Sequence, residues 1–172
     1  LDDINKDALS KAIERVQKNM QRQASKGLIK EEEIAPALAR IRVTATLDDL
    51  KDRDLVIEAA TEDEAIKKKI FQDLCTRISP NAMIATNTSS ISVTRLAAST
   101  DRPEHFIGLH FMNPVPVMQL VEVIRGIATN DSTFQSALEI VKRVGKTAAY
   151  AEDFPAFIVN RILLPMINEA VY

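Results

Sequence analysis

Four apolar residues recur at helical spacing near the start of the chain: Leu9, Ile13, Val16 and Met20. This pattern predicts an amphipathic helix over residues 6–25 that ends near Gly27. A second helix is expected over residues 30–40, because the acidic residues at its start suit the positive end of a helix dipole. Residues 41–46 alternate in polarity like a strand, and residues 47–53 predict a turn or a short helix.

The rest of the chain alternates between strand-like and helical segments. Strands are predicted over residues 54–60, 82–86, 106–111, 120–123 and 147–151. Helices are predicted over residues 62–78, 93–98, 134–144 and 160–172. The first of these strands is expected to be buried and parallel to its neighbour. Because strands and helices alternate, the pattern favours an α/β fold with right-handed crossovers and a doubly wound, mainly parallel sheet.

Composition and charge exclude several classes of partner. Of the 172 residues, 46% are apolar and 27% are charged, which is typical of a globular chain. The net charge of 22 − 24 = −2 provides no broad attraction for nucleic acid or for an anionic membrane. The single cysteine, Cys75, excludes an intramolecular disulfide and fits a cytoplasmic location. No apolar run approaches the roughly 20 residues of a membrane span, and no cysteine or histidine spacing indicates a metal site.

The candidate chemistry is concentrated in two apolar runs, residues 107–111 and 120–123, on either side of a loop that two prolines stiffen. If these runs pair antiparallel about Pro116, His110 lies opposite Glu122. A carboxylate that faces an imidazole fixes the tautomer of the ring and favours its protonated form. The pattern therefore predicts an acid/base pair that transfers protons near neutral pH.

A histidine near the end of a strand is more often packed or solvated than catalytic, and we retain that interpretation for His105. For His110 the surrounding sequence argues otherwise. Three segments together resemble the L-3-hydroxyacyl-CoA dehydrogenase family, and within it the bacterial 3-hydroxybutyryl-CoA dehydrogenases: Asn87-Thr88-Ser89-Ser90, the run from Gly108 to Val123, and Phe157-Ile158-Val159-Asn160-Arg161. The resemblance extends over nearly the whole chain. It implies a Rossmann-like sheet followed by the start of an all-α domain.

The resemblance also implies a reaction, the interconversion of an L-3-hydroxyacyl-CoA and a 3-ketoacyl-CoA. The expected substrate is 3-hydroxybutyryl-CoA. His110 would be the catalytic acid/base and Glu122 its orienting partner. Ser89 and Asn160 would be further catalytic residues that bind the substrate. The chain departs from the family's Pro-Gly-Phe pattern at Ala156, where a close backbone approach is expected to change.

A nicotinamide cofactor is implied by the same resemblance, and its binding residues lie just after strands of a doubly wound sheet. They are Asp3, Ala59, Glu62, Lys67 and Asn87. A carboxylate at Asp3 would accept hydrogen bonds from ribose hydroxyls and repel a 2′-phosphate, so NAD is favoured over NADP.

These residues also have purely structural interpretations. Asp3 is equally well explained as an exposed aspartate with no role. Lys67 lies in a run of three lysines, which is typical of a solvated helix face. The Asn-Thr-Ser-Ser segment that begins at Asn87 is common in turns and helix caps, and Ser90 or Ser92 is the predicted N-cap of the helix that follows.

The chain has four glycines and no G-x-G-x-x-G turn, the element with which dinucleotide-binding domains hold a pyrophosphate. It begins without methionine and ends within a predicted helix. We therefore expect a fragment: residues 1–153 would be a partial NAD-binding domain and residues 154–172 the beginning of a helical domain. The fragment alone is expected to be inactive, whereas the full-length family member is expected to form a homodimer.

Two alternatives remain open at this point. Relatives with the same framework oxidise other 3-hydroxy acids, including sugar acids, so the acyl-CoA partner is not fixed by these residues. In the second alternative the chain is a truncated, non-catalytic structural or interaction module, which the missing phosphate-binding turn would favour.

Overall fold

The computed structural model describes residues 1–171, and the chain divides into two compact units, Leu1–Leu50 and Lys51–Tyr172. In the first unit, helix α1 (Lys6–Ser25) packs against the short helix α2 (Ile34–Ala39). Asn5 is the N-cap of α1, because its side-chain oxygen accepts hydrogen bonds from the backbone N–H groups of Asp7 and Ala8. The helix predicted over residues 6–25 is confirmed.

The second helix is shorter than the sequence predicts. Its acidic residues form a separate 3₁₀ turn, Glu31–Glu33, which leads directly into α2. The Glu33 carboxylate accepts a hydrogen bond from the backbone N–H of Lys30 at 2.7 Å, so an acidic side chain satisfies the start of the turn.

The prediction of a strand over residues 41–46 is wrong. The structure forms one isolated bridge there, between Asp2 and Thr44. The Thr44 N–H donates to the Leu1 carbonyl at 2.9 Å, and the Asp3 N–H donates to the Thr44 carbonyl at 3.3 Å. A strand needs successive paired residues, and this short contact supplies a single pair, so alternation in polarity alone does not produce a strand. A 3₁₀ turn follows at Leu47–Leu50.

The second unit contains a five-stranded sheet in the order β1-β2-β3-β4-β5. Its strands are β1 (Leu55–Glu58), β2 (Met83–Thr86), β3 (Phe106–Phe111), β4 (Leu120–Arg125) and β5 (Thr147–Glu152). All neighbouring pairs are parallel except β3 and β4, which are antiparallel. The helices are α3 (Glu64–Cys75), α4 (Val93–Ala97), α5 (Asp131–Arg143) and α6 (Val159–Val171). The mainly parallel sheet is confirmed.

Strand β1 is less buried than the sequence predicts. The strand and its parallel pairing are confirmed. Ile57 is 42% exposed and, among the described residues, β1 pairs with β2 alone, so the predicted burial is wrong. An edge strand has a neighbour on one side, and apolar composition alone does not distinguish it from a central strand.

Helices cover both faces of the sheet, as a doubly wound fold requires. On one face, Ala137 and Val141 of α5 pack with the strand residues that point the same way, among them Leu109 and Val123. On the other face, the ring of Phe71 in α3 contacts the ring of Phe106 edge to face, with 4.9 Å between the ring centroids. Because strand side chains alternate, His110 and Glu122 lie on the same face as Phe106.

Helix α4 approaches this second face closely at Gly108. A Cβ atom added there would lie 2.8 Å from Val93 Cγ2 and 2.9 Å from Ile124 Cβ. Both distances are too short for carbon atoms, so the absence of a side chain at Gly108 permits the contact between α4 and the sheet.

We predict that Gly108→Ala lowers the free energy of unfolding by about 1–3 kcal/mol, because the added methyl overpacks the space between α4 and β4. Urea denaturation followed by circular dichroism measures this change. Gly126→Ala is a matched control, since a Cβ there would lie no closer than 3.4 Å to its neighbours. Equal stability of Gly108→Ala and the unmodified chain would contradict the packing argument.

Candidate active site

The predicted polar site residues other than Asp3 lie near one edge of the sheet in the second unit. Parallel strands place their carboxyl ends at a common edge, and the segments after Glu58 and Thr86 both begin there. His110 lies near the carboxyl end of β3, which is parallel to β2. Glu122 lies near the start of β4, which runs in the opposite direction and so begins at the same edge.

The predicted pairing of His110 with Glu122 is confirmed. The two residues are partners in the antiparallel register, and His110 Nδ1 lies 2.7 Å from Glu122 Oε2. Glu122 is completely buried, and His110 is 7% exposed. A carboxylate without water as a partner depends on hydrogen bonds from protein, so the imidazole is held firmly in one orientation.

Ser89 lies at the opposite side of the imidazole ring. Its hydroxyl oxygen is 3.0 Å from His110 Nε2. If Nδ1 carries the proton that it donates to Glu122, then Nε2 has a free lone pair and accepts the Ser89 hydroxyl proton. Since Ser89 is exposed, the basic nitrogen faces the accessible edge of the sheet. The ring is therefore poised to exchange a proton with a hydroxyl group that approaches from solvent.

The second oxygen of Glu122 anchors helix α6. Glu122 Oε1 accepts hydrogen bonds from the backbone N–H groups of Ile158 and Val159, each at 2.8 Å. These donors lie at the start of the helix, where a negative charge is favourable. Asn160, in the first turn, donates from Nδ2 to the Ser89 carbonyl at 3.2 Å. The structure thus brings together His110, Glu122, Ser89 and Asn160, the four residues that the sequence predicts to be catalytic.

Glu62 organises the loop that carries Ser89. Its Oε1 accepts hydrogen bonds from the Thr88 hydroxyl at 2.6 Å, the Ser89 N–H at 2.8 Å and the Ser90 N–H at 3.1 Å. Burial tends to raise the pKa of Glu62, but these hydrogen bonds outweigh it and hold the pKa below its usual value. Glu62 is therefore ionised at neutral pH. Its predicted contact with a cofactor stays a prediction.

Lys67 is not on a solvated helix face, and that interpretation of its lysine run is wrong. Its side chain is fully buried, and Nζ lies 2.6 Å from Glu58 Oε2. Lys68 and Lys69, the next two residues, are partly or fully exposed. Sequence analysis missed Glu58. The signal available was its position at the end of an apolar strand, where a charge requires a partner.

The other predicted cofactor residues lie in different surroundings. Asn87 is half-buried, and its Oδ1 accepts a hydrogen bond from the Phe111 N–H at 3.0 Å. Ala59 is exposed directly after β1. Asp3 belongs to the first unit, where its carboxylate accepts from the Asn5 N–H at 2.8 Å. The cofactor roles of all three stay predictions.

A cavity of about 320 Å³ lies away from these residues, beside the start of β1 and the first turns of α5. His105 lines it, whereas His110 does not. Within residues 1–171, no group of three histidine, cysteine or acidic side chains is arranged to hold a metal ion. None of the helices described for these residues is long and apolar enough to cross a membrane.

Comparison with known proteins identifies the family. Residues 1–154 match the family described as "3-hydroxyacyl-CoA dehydrogenase, NAD binding domain". The chain belongs to this family. It is 58% identical over 172 residues to the 3-hydroxybutyryl-CoA dehydrogenase of Bradyrhizobium diazoefficiens, covering 100% of this chain and 59% of that protein.

Other relatives agree with this membership. A probable 3-hydroxybutyryl-CoA dehydrogenase of Bacillus subtilis is 45% identical over 170 residues, which are 99% of this chain and 59% of the relative. The crystal structure of the (S)-3-hydroxybutyryl-CoA dehydrogenase of Ralstonia eutropha superposes with a TM-score of 0.94 at 48% identity, covering 98% of this chain and 59% of that one. The chain thus spans 59% of the length of each of these three relatives.

Asp153, which sequence analysis did not identify as a site residue, clamps the segment before α6 to the start of α4. Its carboxylate accepts hydrogen bonds from the Ser92 hydroxyl at 2.6 Å, the Val93 N–H at 2.9 Å and the Thr94 N–H at 2.8 Å. Ser92 is also the N-cap of α4, as predicted. Burial tends to raise the pKa of Asp153, but the hydrogen bonds from Ser92, Thr94 and Val93 lower it further than burial raises it.

The turn between Asp153 and α6 adopts an unusual backbone. Ala156 has φ +66° and Phe157 has φ +49°, in the left-handed region that favours glycine. Ala156 stands where the family usually has glycine, and it adopts a left-handed conformation nonetheless. The expected change in a close backbone approach stays a prediction. Phe157 is 4% exposed, and its ring centroid lies 6.1 Å from that of His110. The strained turn therefore brings an aromatic ring to the side of the imidazole.

We predict that Asp153→Asn lowers the free energy of unfolding at pH 7 by about 1.5–3 kcal/mol, the range for hydrogen bonds to a charged group. Because the folded-state pKa of Asp153 is depressed, its stabilisation is present above the unfolded pKa and is lost as pH falls through the folded value. The difference between the variant and the unmodified chain should therefore shrink below pH 4.

Urea denaturation at pH 7 and at pH 3 measures this difference. Glu152→Gln, a substitution of the exposed neighbour, is the control and should change the stability little at either pH. A difference for Asp153→Asn that is the same at both pH values would contradict the proposed ionic clamp.

We also predict that Ala156→Gly raises the free energy of unfolding by about 0.5–1 kcal/mol. Relief of the left-handed conformation gains about 1–2 kcal/mol, and the greater freedom of glycine in the unfolded chain offsets part of that gain. Thermal unfolding measures the change. Ala98→Gly is the matched control, since Ala98 has φ −63° and glycine there should destabilise. If both substitutions destabilise equally, the strain at Ala156 is not relieved by glycine.

Proposed function

We propose that the chain is the NAD-binding part of a dehydrogenase that interconverts an L-3-hydroxyacyl-CoA and the corresponding 3-ketoacyl-CoA. The expected substrate is 3-hydroxybutyryl-CoA. The observation that carries this proposal is the imidazole of His110, held between a buried carboxylate at 2.7 Å and a serine hydroxyl at 3.0 Å. Family membership supplies the reaction class, and the imidazole supplies the group that such a reaction requires.

The proton transfer follows from the arrangement around the ring. In the oxidative direction, His110 Nε2 takes the hydroxyl proton of the substrate, in the position where it now meets Ser89. Glu122 stabilises the imidazolium that forms, because its buried carboxylate lies against Nδ1. Ser89 orients the substrate oxygen, and Asn160 holds the Ser89 backbone in place. In the reductive direction the same groups return the proton.

The residues at the sheet edge fit a nicotinamide cofactor. Asn87 uses its Oδ1 to accept from Phe111, so its Nδ2 donors remain available for a carbonyl group such as that of a carboxamide. Ala59 and Ala60 are small and exposed, which leaves the end of β1 open to a large planar ligand. Bound NAD would accept or supply the hydride. Glu62, Asn87 and the backbone at Ala59 are proposed to hold it. The cofactor role of Asp3 is a separate proposal, which rests on the family resemblance.

Several further features are part of the proposal. Residues 1–153 would form the cofactor domain, in keeping with a family match that ends at residue 154, and residues 154–172 would begin a helical domain. The proposed partner is an acyl-CoA, and a homodimer and a cytoplasmic location are proposed for the full-length protein. The proposal of an acyl-CoA rests on the names of two relatives, which are 58% and 45% identical to this chain.

We predict that His110→Gln lowers kcat by about 10²–10⁴-fold, since the residue supplies general acid/base catalysis. Glu122→Gln should lower kcat and change its pH profile. The assay uses a chimera in which this chain replaces the matching part of the Bradyrhizobium diazoefficiens relative, with acetoacetyl-CoA and NADH as reactants. His105→Gln is the matched control, because His105 lies outside the site and should leave turnover unchanged.

Four outcomes decide between the alternatives. Turnover of acetoacetyl-CoA that is lost in His110→Gln supports the proposal. Turnover only with other 3-hydroxy acids would replace the substrate, and a folded chimera that is inactive with every substrate would favour a structural module. Unchanged turnover in both His110→Gln and Glu122→Gln would refute the role of the pair.

A further inference from the structure

The loop that joins the two strands of the acid/base pair contains a tight turn. Residues 112–119 connect β3 to β4, and most of them are exposed. The backbone N–H groups of Val117 and Met118 both donate to the Pro114 carbonyl, at 2.9 and 3.0 Å respectively. These two bonds close the turn. In a single turn of this kind the later carbonyl groups find no partner within the turn itself, so a donor from elsewhere can bind them.

Lys146 supplies that donor from outside the loop. Its Nζ donates to the Val115 carbonyl at 2.7 Å and to the Met118 carbonyl at 2.6 Å. Hydrogen bonds from a charged donor are shorter and stronger than those between neutral groups. One ammonium group therefore joins two points of the turn and limits where the turn can lie.

The backbone of Lys146 is itself held at the end of α5. Gly145 has φ +72°, and the Lys146 N–H donates back to the Val141 carbonyl at 3.0 Å. This is the Schellman motif, which sets the direction of the chain where a helix ends. The next residue, Thr147, begins β5 and donates to the Gln119 carbonyl at 2.9 Å, at the end of the same loop. The lysine therefore extends to the turn from a fixed point.

The loop lies at the edge of the sheet that carries the site. It leaves β3 just after His110 and enters β4 just before Glu122, so both of its ends lie beside the acid/base pair. Its apolar side chains are open to solvent: Val115 is 39% exposed, Val117 64% and Met118 40%. Ligand sites combine apolar surface with a few placed polar groups. An apolar turn beside a proton-transfer group provides that combination for an acyl substrate.

We propose that Lys146 is a positioning residue for the acyl part of the substrate. It holds the turn of residues 114–118 beside the site, so that the apolar side chains of the turn contact the acyl group. This inference rests on the proposed function, since it concerns substrate binding at the same site. Lys146 does not act on the acid/base pair, because the pairing of β3 with β4 holds His110 opposite Glu122. Its loss should therefore weaken substrate binding and leave proton transfer intact.

The first test compares Lys146→Met with the unmodified 172-residue chain. Methionine keeps most of the aliphatic side chain and removes the charged donor, and Lys146 is only partly buried, so the fold should remain intact. Amide hydrogen exchange at Val117 and Met118, followed by NMR, should become about tenfold faster, because the turn loses its external anchor. Exchange at Val123, within β4, should not change. Unchanged exchange at Val117 and Met118 would overturn the proposal.

The second test measures steady-state kinetics in the chimera described above, with acetoacetyl-CoA and NADH as reactants. Lys146→Met should raise KM for acetoacetyl-CoA about three- to tenfold and leave kcat unchanged, the pattern expected when binding is lost equally from the ground and transition states. The pH profile of kcat and KM for NADH should also stay unchanged. A merely structural role would lower the melting temperature without a selective change in one KM.

Two variants serve as controls. Lys142→Met removes an exposed lysine from α5 and should change neither the exchange rates nor KM. Lys146→Arg keeps a charged group with several donors, which can bind two carbonyl oxygens at once. It should therefore restore most of the affinity for acetoacetyl-CoA, whereas a loss as large as that of Lys146→Met would contradict the hydrogen-bonded clamp.

The results separate this inference from the proposed function. Faster exchange with an unchanged KM for acetoacetyl-CoA overturns the role of Lys146 in substrate binding, as does an equal rise in both KM values or a fall in kcat. If the unmodified chimera does not turn over acetoacetyl-CoA, that result counts against the proposed function and equally against the substrate role of Lys146. The exchange rates would still show whether Lys146 holds the turn.

Discussion

The site depends on one buried carboxylate with two partners. Glu122 uses one oxygen to hold the imidazole of His110 and the other to accept two backbone N–H groups at the start of α6. The orientation of the ring and the placement of the helix are therefore linked through a single side chain. Because Glu122 is completely buried, neither oxygen can exchange its partner for water, and loss of either contact leaves an unsatisfied charge in the interior. Asn160 and Ser89 are brought together by the same helix placement.

The sheet and the central pair were predictable from the sequence because local patterns determine them. Apolar runs of the right length predict the strands, and the symmetric position of β3 and β4 about a loop predicts the register that places His110 opposite Glu122. The strand over residues 41–46 failed for the opposite reason, since a strand also needs a partner of matching length. The burial of β1 was mispredicted for the same reason, because the exposure of a strand depends on which segments lie beside it.

The interactions that sequence analysis missed join residues far apart in the chain. Glu58 meets Lys67 nine residues later, and Asp153 reaches back 59–61 residues to the start of α4. In neither case does the sequence name the partner, although the position of Glu58 at the end of an apolar strand indicates that it needs one. Lys67 shows the difficulty most clearly, because a run of three lysines contains one side chain that is buried and two that are not. Helical periodicity places Lys67 on the face of α3 that also buries Phe71 and Leu74, and this could have separated it from its neighbours.

The antiparallel ladder between β3 and β4 has a consequence for the eight residues that connect them, 112–119. His110 and Glu122 are held opposite each other by further paired residues of the same two strands, such as Gly108 with Ile124. The distance between their side chains therefore does not depend on the connecting loop. That loop is mostly exposed. The length and sequence of this loop can therefore be changed by protein engineering to alter the entrance to the site, while His110 and Glu122 keep their geometry.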